Sequence, residues 1–214
     1  MSNIAILPIK SDSKRIPMKL FKNFCGKPLY MHVVDEVKRL MHNYGIIDKI
    51  VVTSPDKWFI NKTFNEYGLD FILRPKELAG DVELTEVMKH ATKKISATSE
   101  DNIIQIQLNK PLTKASDIME CIKVFEDGNY DSLSTVQEIG TAIIGEHLES
   151  SRTAEKKYKS QAICKIWKYD ILMNSTNLYS YGDNHCYHPI AKHHIEIDDM
   201  EDFRIAEALM KAGF

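Results

Sequence analysis

The sequence lacks several features that mark well-known functional classes. Its 214 residues include four cysteines, which lie far apart and form no C-x-x-C pair: Cys25, Cys121, Cys164 and Cys186. No apolar run approaches the roughly 20 residues that a membrane-spanning helix needs, and no secretory leader follows Met1. These absences predict a soluble cytoplasmic protein with reduced thiols and no membrane partner.

The chain also lacks an excess of positive charge. Its formal net charge is −2, whereas a protein that binds nucleic acid in bulk needs a basic field. A glycine-rich Walker loop, G-x-x-x-x-G-K-[ST], is absent as well. The composition, with 43% hydrophobic and 27% charged residues, is typical of one soluble globular domain with a substantial core.

The most informative stretch is an apolar run, Ile4–Leu7, that leads into a basic loop. Residues 10–19 contain four cations, interleaved with hydroxyls and prolines: Lys10, Lys14, Arg15 and Lys19. A sheet fixes the position of such a loop, and its N–H and ammonium groups then meet phosphate oxygens. The alternative is a solvated connection whose lysines contact only water. The pattern favours a site for a nucleoside triphosphate.

Strand and helix patterns alternate along the chain. Apolar runs predict strands at residues 4–7, 49–54, 71–73, 102–107, 132–136, 163–167 and 195–198. Apolar residues at helical spacing predict helices after Pro28, around Trp58–Tyr67, at 84–95 and 117–125, and after the cap Asp199. This order predicts a single α/β domain over residues 1–214, with three layers and a mostly parallel, Rossmann-like sheet. Residues 137–161 carry charge and little periodicity, which predicts an excursion or hairpin.

Ligands in such folds bind beyond the carboxyl ends of the strands. The predicted rim of the sheet therefore comprises residues 10–19, 53–56, Arg74, 107–110 and 196–198.

Several motifs resemble one enzyme family. The segment 7–19, followed by Phe24-Cys25-Gly26-Lys27-Pro28-Leu29, resembles the signature loop of the acylneuraminate cytidylyltransferases, the CMP-sialic acid synthetases. Related enzymes activate other nonulosonic acids and 3-deoxy-octulosonic acid. Further similar segments follow in order: 50–53, 73–81, Gln107 and 196–198. The resemblance covers most of the chain with collinear spacing.

The resemblance implies a fold of the nucleotide-diphospho-sugar transferase type and a homodimer. It also implies that the excursion at residues 137–161 serves acceptor binding or dimerisation. It implies that the protein transfers CMP from CTP to a sialic acid-like nonulosonic acid and releases pyrophosphate, as a step in nucleotide sugar and cell-surface polysaccharide biosynthesis. The implied catalytic residues are Lys19, Lys10 and Asp198. The implied nucleotide-binding residues are Leu7, Lys10, Ser13, Lys14, Lys19, Arg74, Gly80, Asp81 and Gln107.

Glu196 and Asp198 stand where the family has an Asp-Ile-Asp pair that binds a divalent metal. Carboxylates two residues apart on a strand point the same way, so both could face one Mg²⁺ ion, which prefers oxygen ligands. The alternative is that they only begin an acidic helix cap together with Asp199, Glu201 and Asp202.

The sequence departs from the family pattern at several positions. Lys10 stands in place of an arginine, and Asp12 puts an anion inside the phosphate loop. The family's Gln-Pro-Thr-Ser-Pro-Leu-Arg run reads as residues 107–113 here, with a gained cation at Lys110 and a lost one at Thr113. An Arg-Gln acceptor motif is reduced to Arg152-Thr153. Two alternatives therefore stay open: a cytidylyltransferase with a non-sialic acceptor, and a nucleotide-binding or regulatory homologue without turnover.

Histidines are concentrated near the C-terminus, at His185, His188, His193 and His194, with Cys186 among them. Their spacing matches no zinc pattern, and we expect these histidines to face solvent.

Overall fold

The computed structural model describes residues 1–59, 68–80, 82–139, 157–177, 182–191 and 193–214. Its strands are β1 (Asn3–Pro8), β2 (Asn23–Phe24), β3 (Lys27–Pro28), β4 (Lys49–Ser54), β5 (Asp70–Leu73), β6 (Asn102–Ile106), β7 (Ser132–Ile139), β8 (Lys157–Lys168) and β9 (His185–Ile190). Seven of them form one sheet in the order β5-β4-β1-β6-β8-β7-β9, and β2 pairs with β3 separately. Within the sheet, β8 runs antiparallel to β6 and β7, and the other pairs are parallel. The predicted mostly parallel sheet is confirmed.

Helices cover both faces of this sheet, as the alternation of elements predicted. The helices are α1 (Leu29–His42), α2 (Leu84–Lys94), α3 (Ala115–Asp127), α4 (Tyr169–Asn174) and α5 (Met200–Lys211). Side chains of α1 and α3 pack with Ala5 and Leu7 of β1 in the main core. The neighbouring Ile4 and Ile6 pack with side chains of α2 and α4 on the opposite face, because successive side chains of a strand point to opposite sides.

A third hydrophobic cluster lies apart from the two sheet faces. It joins Ile16 of the basic loop, Phe24 of β2, Leu29 of α1, Ile197, and Phe203 and Ala206 of α5. All six are buried. This loop–helix cluster brings the basic loop and residues 196–198 together, although they are about 180 residues apart in the sequence.

Two strand predictions near the C-terminus differ from the structure. Residues 185–190 form β9, an edge strand that the sequence did not predict, whereas residues 195–198 are not assigned to a strand. The backbone N–H of Ile197 donates to the carbonyl of Asn109 at 2.9 Å, but this single bond does not continue into a ladder in the described part of the chain.

Parts of two other predictions lie outside the described residues. These are residues 60–67 of the helix expected around Trp58, and residues 140–156 of the expected excursion. The ends of that excursion are strand: Gln137 pairs with Lys159, and Ile139 with Lys157, in the antiparallel β7–β8 ladder. Among the described residues, no helix is long and apolar enough to cross a membrane.

Candidate nucleotide-binding and active site

Two adjoining cavities open at the carboxyl ends of β1 and β6, where ligands bind in parallel α/β sheets. The larger, of about 240 Å³, is lined by Pro8, Ile9, Lys10, Leu20, Arg74, Gly80, Val82, Leu84, Val87, Gln105 and Gln107. The smaller, of about 170 Å³, is lined by Pro8, Lys10, Ser13, Lys19, Leu20, Gln107, Leu108 and Asn109. The two share Pro8, Lys10, Leu20 and Gln107 in their linings and therefore adjoin, and we call them together the nucleotide cleft.

Arg74 stands at the wall of the larger cavity and is 6% exposed. Its Nη2 donates to the backbone carbonyls of Ile9 and Thr53, the latter at 2.8 Å. These bonds tie the ends of β1 and β4 together. Burial lowers the pKa of Arg74 to about 10, with Asp56 opposing the shift, so the side chain stays charged at neutral pH.

Lys10 lines the same cavity and also the smaller one. Its Nζ donates to the carbonyl of Gly80 at 3.1 Å. Gly80 has a φ of +79°, a backbone conformation that side-chain-bearing residues rarely adopt. Lys10 therefore places a cation between the two halves of the cleft, although it lacks the two-pronged donor geometry of an arginine.

The basic loop is held in place by Asp56, which follows β4. Its carboxylate accepts from the backbone N–H of Ser11 at 2.8 Å and from the Ser11 hydroxyl at 2.7 Å. The buried side chain of Ile16 anchors the loop on the other side. Between these two anchors, Ser13 lines the smaller cavity, and Asp12 and Lys14 are exposed.

Lys19 lies where the loop meets residues 196–198. Its Nζ donates to the carbonyl of Ile197 at 2.6 Å and lies 3.5 Å from Oδ1 of Asp198. The same oxygen accepts from Nη2 of Arg15 at 2.8 Å. The Lys19 side chain is only 14% exposed, whereas that of Arg15 is 65% exposed. Lys19 is thus a positioned cation that also lines the smaller cavity.

Glu196 is held by different partners. Its Oε1 accepts from the amide of Asn109 at 3.2 Å, and its Oε2 lies 3.5 Å from Nζ of Lys110. The Lys110 side chain is fully buried. Burial lowers its pKa to about 8, and the charge of Glu196 opposes this shift. The cation gained at position 110 therefore has a partner within the protein.

Glu196 and Asp198 line a third cavity, of about 260 Å³, which we call the carboxylate cavity. Its other lining residues are Gln137, Lys159, His194, Ile195 and Asp202. The side chain of Ile197 between them is buried in the loop–helix cluster. Glu196 and Asp198 thus line one cavity on either side of the buried Ile197.

The family model described as "Cytidylyltransferase" matches residues 4–212. The chain belongs to the cytidylyltransferase family. Its relatives are CTP-dependent nucleotidyltransferases, which confirms the resemblance seen in the signature loop.

Named relatives of this cytidylyltransferase act on different sugar acids. It is 25% identical to the pseudaminic acid cytidylyltransferase of Campylobacter jejuni, over 76% of this chain and 72% of that protein. It is 24% identical to the 3-deoxy-manno-octulosonate cytidylyltransferase 2 of Hydrogenovibrio crunogenus, over 68% of this chain and 56% of that protein. It is 28% identical to the N-acylneuraminate cytidylyltransferase of Escherichia coli, over 58% of this chain but only 28% of that longer protein.

Solved structures show the same fold. The CMP:2-keto-3-deoxy-manno-octonic acid synthetase complexed with CTP superposes on this cytidylyltransferase with a TM-score of 0.78, at 15% identity and over 100% of both chains. The 4-diphosphocytidyl-2C-methyl-D-erythritol synthase of Anaerococcus prevotii gives a TM-score of 0.69, at 13% identity over 98% of both chains. These likenesses confirm the predicted nucleotidyltransferase fold.

The structure brings most of the predicted site residues of this cytidylyltransferase together. Lys10, Ser13, Lys19, Arg74, Gly80 and Gln107 line the nucleotide cleft, and Glu196 and Asp198 line the carboxylate cavity. Leu7 instead packs fully buried in the main core, and it lines neither cavity of the cleft. Asp81 lies outside the described residues.

The donors around the carboxylate cavity suit a hard divalent cation. Mg²⁺ is commonly bound by one or two carboxylates together with substrate phosphates, and Glu196 and Asp198 supply two carboxylates beside the phosphate-sized cavity. The described residues contain no group of three or more histidine, cysteine or acidic side chains that could hold a metal on their own. Asp198 contacts Arg15 and Lys19, and Glu196 contacts Lys110, so these two carboxylates could hold such an ion only together with further oxygen ligands.

The sequence placed Asp56 and Asn109 on the rim of the sheet but did not predict their contacts: Asp56 fixes the basic loop, and Asn109 fixes Glu196. The prediction that the histidines face solvent is wrong most clearly at His194, while His185, His188 and His193 are partly buried. His194 was expected to face solvent, but it is 1% exposed. Burial lowers its pKa to about 4, against the opposing charge of Asp117, so His194 is neutral at pH 7.

Proposed function

We propose that this protein transfers CMP from CTP to an acidic sugar of the ulosonic or nonulosonic acid class and releases pyrophosphate. The observation that carries the proposal is the nucleotide cleft, in which a pocket beside Arg74 adjoins a smaller cavity beside Lys19. The relatives are named for pseudaminic acid, 3-deoxy-manno-octulosonate and N-acylneuraminate, which share a carboxylate next to the reacting carbon.

The shape of the cleft suggests how CTP would be oriented. The larger cavity has apolar walls at Val82, Leu84 and Val87 and a few polar groups, which suits a nucleobase. The smaller cavity holds Ser13 and Lys19, which suit phosphate oxygens. In this pose the α-phosphorus lies near Gln107, which lines both cavities, and the sugar acid occupies the carboxylate cavity.

The reaction in this pose needs little covalent chemistry from the protein. An acceptor hydroxyl oxygen bonds to the α-phosphorus and loses its proton to solvent, the bond from that phosphorus to the bridging oxygen breaks, and pyrophosphate leaves. Lys10 and Lys19 stabilise the charge that gathers on the phosphate oxygens, and the rigid cleft aligns the two reactants. Glu196 and Asp198 would hold Mg²⁺, which when bound supplies further positive charge to the phosphates.

The acceptor and the oligomeric state belong to the same proposal. The acceptor panel should include a sialic acid, pseudaminic acid and 3-deoxy-manno-octulosonic acid, because relatives with each specificity match this chain at similar identity. The homodimer implied by the family resemblance would be tested by sedimentation velocity on the same preparation.

The test is pyrophosphate release with CTP, Mg²⁺ and each acid in turn, with a neutral sugar as the control acceptor. We expect release with one acid and CTP, and none with ATP or GTP. CTP should also raise the melting temperature more than ATP, since a ligand at about 100 times its Kd stabilises the fold by about 2.7 kcal/mol. Equal thermal shifts for CTP and ATP would contradict a cytidine site, and CTP binding without any turnover would favour a nucleotide-binding homologue.

A further inference from the structure

Gln105 is a polar residue in the apolar strand β6, between Ile104 and Ile106. It is 1% exposed, and its Oε1 is a buried acceptor without a hydrogen-bond partner among the described residues. Leaving such an atom unsatisfied costs about 1–3 kcal/mol. Most buried polar atoms in native proteins have a partner, so an unpartnered one beside a cavity points to a ligand.

The position of Gln105 within the nucleotide cleft is defined by the strand register. It lies opposite Ile6 of the parallel strand β1 and opposite Lys165 of the antiparallel strand β8. Its side chain lines the larger cavity, together with Arg74, Gly80 and apolar side chains of α2. Gln105 is thus a polar group on a rigid central strand, at the wall of a mostly apolar pocket.

The carboxamide of glutamine carries an acceptor and a donor side by side. The edge of cytosine presents the complementary pair, a 4-amino donor next to the N3 acceptor, in the way that glutamine pairs with the amino-bearing edge of adenine. Uracil has a carbonyl oxygen in place of the 4-amino group. Against an amide oxygen in the same place, uracil would therefore put one acceptor against another.

We propose that Gln105 reads the base edge of the nucleotide, with Oε1 accepting from the 4-amino group of cytosine, and so sets the preference for CTP over UTP. This inference rests on the proposed function, because it places the nucleobase in the larger cavity. It assigns to Gln105 a role that neither the signature loop nor the two carboxylates supply. The role of Arg74 in the same pocket is then to hold the β1 and β4 ends that frame the base.

The experiment pairs a change in the protein with a change in the ligand. Calorimetry on the full chain would measure the Kd of CTP, of UTP, and of a CTP analogue that carries hydrogen in place of the 4-amino group. For the wild type we expect the analogue and UTP each to bind at least about tenfold more weakly than CTP, the loss that one buried hydrogen bond commonly causes. In Gln105→Met, CTP should weaken by about tenfold, and the analogue should bind as well as CTP. This loss of additivity isolates the contact between the side chain and the amino group.

A matched control addresses the general effect of removing a buried polar atom. Ser134 of β7 also has a buried Oγ without a partner in the described structure, and it lines neither cavity of the cleft. Ser134→Ala should leave all three Kd values unchanged. Melting curves without nucleotide would verify folding, and Gln105→Leu provides a second variant if the methionine is not accommodated.

The outcomes separate this inference from the proposed function. Wild-type protein that neither binds CTP nor releases pyrophosphate would overturn the proposed function. Wild-type protein that turns over CTP but binds UTP equally well would overturn the inference alone, because the amide would then accept either base. A Gln105→Met variant that keeps the wild-type preference for CTP over the analogue would do the same.

Discussion

The cations of the nucleotide cleft and the cations beside the two carboxylates have different kinds of partner. In the cleft, Lys10 donates to the carbonyl of Gly80 at 3.1 Å, and Arg74 donates to the carbonyl of Thr53 at 2.8 Å. Beside the carboxylate cavity, Arg15 lies 2.8 Å from Asp198, and Lys110 lies 3.5 Å from Glu196. A carbonyl orients a cation without cancelling its charge, whereas a carboxylate does both.

This difference teaches how one small site can receive a polyanion and a metal ion. The carbonyl contacts leave the charges of Lys10 and Arg74 uncancelled by those bonds, which would suit a triphosphate, whereas Arg15 and Lys110 each lie against a carboxylate. Lys19 connects the two regions, because its Nζ contacts both the carbonyl of Ile197 and the carboxylate of Asp198. We expect phosphate oxygens to compete with Asp198 for Lys19 and so to release this carboxylate for Mg²⁺.

Removing Lys19 should give the largest effect. Lys19→Ala takes away the cation shared by the two regions, and the loss of one transition-state contact of this kind commonly costs about 10²–10³ in kcat. Stability should change little, since the side chain lies outside the three hydrophobic clusters. Steady-state pyrophosphate release would measure the loss, with Lys22→Ala, at an exposed position three residues after the basic loop, as the matched control. Equal kcat values for the two variants would show that phosphate chemistry takes place elsewhere.

Neutralising Asp198 should give the next largest effect. Asp198→Asn keeps the shape but removes the charge, so turnover should fall at least about tenfold and recover only partly with excess Mg²⁺. Asp199→Asn is the control, because Asp199 caps α5 by accepting from the N–H groups of Glu201 and Asp202 and asparagine caps almost as well. Direct Mn²⁺ binding in the presence of nucleotide would give a second measurement. A fully active Asp198→Asn enzyme with an unaltered magnesium requirement would leave only the cap interpretation.

The smallest of the three effects concerns the ion pair between Lys110 and Glu196, and it depends on pH. Glu196→Gln leaves the buried ammonium of Lys110 without its counter-charge, which should lower the free energy of unfolding by about 1–3 kcal/mol at pH 7. Lys110 has a pKa of about 8 in the folded protein, lowered from 10.5. Between pH 8 and pH 10.5 it therefore binds fewer protons in the folded state than in the unfolded state. Wild-type stability therefore gains a contribution as pH rises through this window.

Above pH 8 the neutral Lys110 no longer needs Glu196, so the cost of Glu196→Gln should shrink at pH 9. Urea unfolding of the wild type and the variant at both pH values would measure this, with Glu100→Gln at an exposed position as the control. A cost that is the same at pH 7 and pH 9 would mean that the ion pair does not account for the stability of this region.

Local sequence patterns predict most of the sheet because its central strands are apolar on both faces. Residues 49–54 were predicted as a strand and form β4 with these bounds, and the cap at Asp199 begins α5 as expected. By contrast, β9 contains His185, Tyr187 and Pro189 and has no apolar run. Its strand conformation depends on parallel pairing with β7, which is about 50 residues away in the sequence. The local sequence around β9 carries no pattern that would predict this pairing.

The candidate site shows the same limit. The basic loop and the Glu196–Asp198 spacing are visible in the sequence because each is a short, local motif. The Ser11–Asp56 bond and the Lys110–Glu196 pair join residues 45 and 86 positions apart, and sequence reasoning alone does not reach such pairs. The alternation of apolar and acidic residues from 195 to 198 is typical of a strand. Ile197 is indeed buried, but its side chain packs in the loop–helix cluster and not in the sheet.

The loop–helix cluster makes two distant parts of the site one cooperative unit of local unfolding. If α5 detaches, Phe203 and Ala206 lose their contacts with Ile16 and Ile197 at the same time. The basic loop and the segment that carries Glu196 and Asp198 would then lose their support together. Such sub-global openings occur at a lower free energy than global unfolding. Amide protons of α5 should therefore exchange sooner than those of β1 and β6, and the protein should lose its capacity for phosphate transfer at denaturant concentrations where its central sheet is still intact.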